Sequence, residues 1–171
     1  ELLLQGRIRA GLQEAAARIT QSFAAPQKTR IQLSGDIGRL LRTALPESWI
    51  AYSEDEIPLQ LELQDGSGEG VYAFNAHLNM SRPSIGIPKF DFQKPAGVAA
   101  SLAAAGSIFT ASETIDISRF DLEGPGIKAG GAALLPLIDL KNASADIPVL
   151  VLGRNDFGMK LAGGVIHVDG R

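Results

Sequence analysis

Residues 57–64 read Ile57-Pro58-Leu59-Gln60-Leu61-Glu62-Leu63-Gln64, and residues 72–80 read Tyr72-Ala73-Phe74-Asn75-Ala76-His77-Leu78-Asn79-Met80. Both alternate between apolar and polar side chains. Successive side chains of a strand point to opposite faces, so a period of two predicts a half-buried strand. Between the two stretches lies Asp65-Gly66-Ser67-Gly68-Glu69-Gly70, the composition of a turn. Together they predict a hairpin with one oily side, formed by Leu59, Leu61, Leu63, Tyr72, Phe74, Leu78 and Met80.

Downstream the same reading continues. Strand candidates cover 84–92, 98–110, 114–122, 127–135, 137–151, 157–162 and 165–169. Turn signals separate them, among them Lys94-Pro95-Ala96-Gly97, Gly124-Pro125-Gly126 and Gly153-Arg154-Asn155-Asp156. Within 114–122 the apolar phase slips, from Ile115 and Ile117 to Phe120 and Leu122. A bulge near Ser118-Arg119 accounts for the slip. Links this short exclude parallel crossovers, so residues 57–171 read as a long antiparallel, twisted meander. Such a sheet must close, fold on itself or leave an apolar face for a ligand.

Upstream the pattern changes. Leu2-Leu3-Leu4 reads as either a strand or a helix start. Ile8, Leu12, Ala15, Ala16, Ile19 and Phe23 recur at helical spacing and predict an amphipathic helix over 8–23, closed by Pro26. Thr29–Ser34 alternates as a strand. A second short helix is predicted with Asp36 as its N-cap and Ile37, Leu40, Leu41 and Ala44 on one face, ending at Pro46. The expected fold class is therefore mainly β with two short N-terminal helices (α+β). Residues 1–50 form the helix-containing start of a single unit, and the meander forms an open groove or half-barrel.

Composition narrows the function. Of 171 residues, 45% are apolar and 20% charged, as in a globular protein. With 6% aromatics, 19 Gly and 9 Pro, the core must be aliphatic and the turns many. The net charge of −3 argues against a nucleic-acid partner. The absence of Cys removes thiolate metal sites, disulfides and Cys nucleophiles. No apolar run of about 18 residues is present to span a membrane, and no signal-peptide pattern opens the chain. The lack of an initiator Met and the stop at Gly170-Arg171 suggest a fragment of a longer protein.

The catalytic motifs are missing. There is no Gly-x-Ser-x-Gly, His-Glu-x-x-His, P-loop or EF-hand spacing. Gly66, Gly68 and Gly70 lack the following helix that would hold a phosphate. His77 and His167 lie on separate predicted strands, on polar faces beside Asn75, Asn79 and Asp169. No catalytic residue, metal ligand or cofactor is assigned. The remaining candidate is the oily stripe itself, carried by Leu59, Leu61, Leu63, Phe74, Leu78 and Met80. It reads either as ordinary core, under the helices or another sheet, or as a trough for acyl chains.

Several segments resemble the AsmA-like superfamily, in its YhdP- and TamB-related branch. They are Pro58–Leu63, Ala76–Met80 leading to Ile87-Pro88 and Lys94–Gly97, Phe120–Gly126, Leu152–Asp156, and Leu33–Asp36. The resemblance covers roughly residues 30–165. It implies one segment of a periplasmic protein whose inner-membrane anchor lies outside this chain. It further implies a β-groove that carries phospholipid or another acyl-chain lipid toward the outer membrane, and so a role in envelope maintenance. The partners expected are lipid and neighbouring segments, or a second copy joined through sheet edges. The alternative is a structural or assembly module that pairs through its edges without a ligand.

Overall fold

The computed structural model describes residues 2–10, 13–22, 28–37, 51–52, 56–87, 91–138, 142–162 and 165–170. Among them are fourteen strands and no α-helix. In chain order these are β1 (Leu2–Ala10), β2 (Gln13–Ser22), β3 (Lys28–Asp36), β4 (Ala51–Tyr52), β5 (Pro58–Asp65), β6 (Val71–Asn79) and β7 (Ile85–Ile87). They continue with β8 (Phe92–Lys94), β9 (Ser101–Phe109), β10 (Thr114–Gly124), β11 (Ile127–Pro136), β12 (Ser144–Leu152), β13 (Asn155–Ala162) and β14 (Val165–Gly170).

Eleven strands form one sheet in the order β1-β2-β3-β5-β6-β9-β10-β11-β12-β13-β14, and β4, β7 and β8 form a second, small sheet. Every neighbouring pair is antiparallel. The large sheet therefore follows the chain, interrupted only where β4, β7 and β8 leave it. It is open, with β1 at one edge and β14 at the other.

Among the described residues there is no α-helix, and the first of the two expected N-terminal helices is a misreading. Residues 8–10 belong to β1 and residues 13–22 to β2, not to one amphipathic helix. Alanine blurred the pattern, because Ala15, Ala16 and Ala17 satisfy a helical and a strand period equally. In β2, Ala17 pairs with Leu33 and Ile19 with Ile31, while Ala16 stands opposite Ser34 on the other face. Pairing on both sides, with β1 and β3, outweighs a local helix preference. Asp36, the expected N-cap of the second helix, is the last residue of β3. Its carboxylate accepts from the Ile57 amide at 2.7 Å, and the Ile37 amide donates to the Ile57 carbonyl at 3.1 Å. Leu40, Leu41 and Ala44 lie outside the described residues.

The bulge at Ser118-Arg119 is present as a register shift between Ile117 and Phe120. A second shift lies between Ile147 and Leu150, where Pro148 has no amide to give a ladder. Each bulge faces a glycine on the preceding strand. A Cβ on Gly106 would run into the Asp116 carbonyl, and one on Gly131 into the Asp146 carbonyl. The segment 84–92, expected as one more meander strand, instead supplies β7 and leads into β8 of the small sheet.

The core lies where the small sheet meets the large one. Ile57, Leu78, Met80, Ile85 and Ala100 form one buried cluster, against which Ile37, Leu59, Leu102 and Leu122 pack. Phe92, Ile127, Ala129, Leu150 and Leu152 form the other, with Ile87, Phe120, Phe157 and Met159 at its border. All large-sheet members lie at one end of the sheet, alternately at the finish of one strand and the start of the next. The small sheet thus caps one end of one face.

Candidate functional site: the apolar face of the large sheet

Cross-strand partners in an antiparallel sheet share a face, so the register shows what that face is made of. One row runs Leu4, Ile19, Ile31, Leu63, Phe74, Gly106, Ile117, Ala133, Ala145, Leu161. It crosses ten strands without a polar side chain. At the usual strand spacing it extends roughly 40 Å. The row above it passes through Ala17, Leu33, Leu61, Ala76, Ala104, Phe120 and Gly131. The row above that passes through Leu59, Leu78, Leu102, Leu122, Ala129, Leu150 and Phe157. The third row lies under or beside the cap. Below the cap, Ile31, Leu33, Leu61, Leu63, Ile108, Ile115, Ile117 and Leu135 are all half-buried.

The expected lipid-facing residues therefore divide. Leu78 and Met80 are sealed in the capped core, and Leu59 packs at its border. Leu61 and Leu63 stay on the open part. Phe74 lies in the same row as Leu63 and is 7% exposed. The hairpin register is the expected one, with Leu59 opposite Leu78 and Leu63 opposite Phe74. Ile31, Leu33, Ile108, Ile115, Ile117 and Leu135 were not singled out as site residues. Their signal was the same period of two, but only the strand order shows that they continue one face.

The cap is held by one buried charge. Lys94 is 1% exposed, and its ammonium donates to the carbonyls of Pro95 and Val98 at 3.0 Å and of Ser81 at 3.3 Å. This ties β8 to the turn that follows it and to the exit of β6. Burial pulls the Lys94 pKa below its ordinary value.

The opposite face is polar. Glu62 accepts from Gln32 at 3.4 Å and from Gln64, and pairs with Arg30 at 3.2 Å. The hydrogen bonds from Gln64 and then Gln32, aided by the Arg30 charge, hold the Glu62 carboxyl below its ordinary value against the opposing effect of burial. A recess of about 650 Å³ on this face is lined by Gln5, Arg18, Gln32, Gln60, Glu62, Asn75 and His77, among others. His77 and His167 are exposed and sit six strands apart, on β6 and β14. The sheet does not bring them into one cleft.

No family model, curated protein or solved structure matches this chain.

Proposed function

We propose that the open part of the apolar face holds lipid acyl chains. In this reading the chain is a groove segment of an AsmA-like envelope protein. It works in the periplasm as part of an inner-membrane-anchored protein and moves phospholipid between the two membranes. The observation that carries the reading is the ten-strand row from Leu4 to Leu161, in which Ile19, Ile31, Leu63, Ile117 and Leu161 are only half-buried while Phe74 is buried. Apolar surface left in water is unfavourable by about 25 cal/mol per Å², so a long alkyl chain laid along it gains from every methylene it shields. Large contiguous apolar patches on a protein surface mark places where something docks. The face asks only for hydrocarbon, which suits a carrier rather than a catalyst.

The test pairs binding with stability. Leu61→Asp puts a carboxylate into the middle of the open part, where water reaches it. A fluorescent fatty acid or phospholipid should bind the native chain saturably. In the variant binding should weaken by roughly tenfold or more, while the melting temperature falls by only a few degrees. An intact fold with unchanged binding rejects this face as the lipid surface. No binding to the native chain rejects the reading itself and leaves the ligand-free assembly module.

A further inference from the structure

Two recesses on the polar face of the large sheet meet at one residue. The first, of about 650 Å³, crosses the five strands from β1 to β6. The second, of about 620 Å³, crosses the four strands from β6 to β11. His77 on β6 lines both, so the two form one groove across the strands. At the usual strand spacing it spans roughly 30 Å.

The register shows how the groove is built. Gln5, Arg18, Gln32, Glu62 and Asn75 are successive cross-strand partners and form one wall of the first recess. Ser34, Gln60 and His77, two positions along the same strands, form the other. Leu33 and Leu61 lie between the walls, but their side chains point to the apolar face, so the floor is backbone. Its amides and carbonyls are already paired in the ladders. Beyond His77, the row of Asn79, Ser101, Glu123 and Lys128 lines the second recess, again as successive partners. Many of these groups are free. Among the described residues, the side chains of Arg18, Gln60, Asn75, His77, Ser101 and Lys128 make no hydrogen bond or ion pair.

Charge, chemistry and shape narrow the ligand. Arg18 and Lys128 balance Glu62 and Glu123, so the groove complements an uncharged molecule. Its free groups are planar and polar. The amides of Gln60 and Asn75 each donate and accept, and the Arg18 guanidinium presents a fork of donors. Neighbouring hydroxyls, which also donate and accept side by side, match such groups. An extended peptide pairs with unused backbone groups at a sheet edge, and this floor offers no unused backbone. We infer that the groove binds a linear, uncharged oligosaccharide laid across the strands, with Arg18, Gln60, Asn75 and His77 bonding its hydroxyls. This inference concerns the face opposite the acyl-chain surface and stands whether or not lipid occupies that surface.

Titration calorimetry with trimers and hexamers of glucose and of N-acetylglucosamine tests it. The hexamer of one of these sugars should bind the native chain saturably. It should bind roughly tenfold tighter than its trimer, because a longer chain passes His77 and engages both recesses. Gln60→Ala and Asn75→Ala should each weaken the hexamer roughly fivefold. Both side chains are exposed, and circular dichroism of each variant checks that the fold is kept. Lys160→Ala lies on the same face but outside both recesses and should bind as the native chain does. Failure of every oligosaccharide to bind overturns the inference. So does a hexamer that binds no tighter than its trimer, a Gln60 or Asn75 variant that binds like the native chain, or an equal loss in Lys160→Ala.

Discussion

Ile57 and Leu61 lie four positions apart in the chain, one just before β5 and one in its middle, yet they have opposite fates. Ile57 is 1% exposed, in the buried cluster with Leu78, Met80, Ile85 of β7 and Ala100. Leu61 is half-buried, flanked by Leu33 and Ala76, on the part of the face below the cap. The two ends of the face share the same aliphatic composition. They differ in what lies over them. The capped end converts its apolar area into stability, whereas the open end keeps part of its area in contact with water. A sheet that buried both ends would be more stable and would have no surface to offer a ligand.

The largest expected effect comes from placing one charge at both ends. Ile57→Asp strands a carboxylate in a sealed cluster and should destabilise by several kcal/mol, enough to unfold a marginal domain. Leu61→Asp should leave the domain folded. Chemical denaturation of the two variants side by side measures the contrast. Equal losses would mean that the open end is as sealed as the capped one.

A smaller effect is expected at the fastening of the cap. Lys94→Met keeps most of the volume but removes three hydrogen bonds from the ammonium. The Ser81 carbonyl still accepts from the Gly97 amide and the Pro95 carbonyl from the Val98 amide, at 2.9 and 3.4 Å. The Val98 carbonyl loses the Lys94 donor. Leaving a buried acceptor short costs about 1–3 kcal/mol, partly offset because a charge need no longer be desolvated. The variant should unfold at lower denaturant. Where the cap loosens, an apolar dye should bind more than it does to the native chain. Unchanged stability would show that apolar packing alone holds the cap.

The legibility of this molecule follows the same division. The 65–70 turn, the Leu59 to Met80 hairpin and the bulge at Ser118-Arg119 were readable because each depends on neighbours in sequence. Residues 13–22 were not, because Ala15, Ala16 and Ala17 fit two periods and only β1 and β3 on either side decide between them. Half of the site was legible for the same reason. Leu61 and Leu63 announce an oily stripe, but its continuation through Ile31, Ile117 and Ala133 needs the strand order. The cap was hidden altogether. Ile85, Ile87 and Phe92 look like another meander strand, and nothing local says that they leave the sheet to cover Leu78 and Leu152.

The smallest effect belongs to the back of the sheet, and it sharpens the comparison by serving as its control. Glu62 lies between Leu61 and Leu63 in sequence but on the polar face, with a side chain 29% exposed. Its folded-state pKa lies below the ordinary 4.5. The stabilisation from its bonds to Gln64, Gln32 and Arg30 is therefore fully present above that value. It is lost as the pH falls from there through the depressed folded value. At neutral pH, Glu62→Gln should cost under about 1 kcal/mol, because solvent screens the pair. The difference from the native chain should vanish in acid, where the carboxyl is protonated in both folded and unfolded states. Urea unfolding at pH 7 and in acid measures it. Lipid binding should be unchanged, because the substitution lies on the opposite face from Leu61 and Leu63. If Glu62→Gln weakened lipid binding as much as Leu61→Asp, the ligand would sit on the polar face and the assignment of the apolar face would fail.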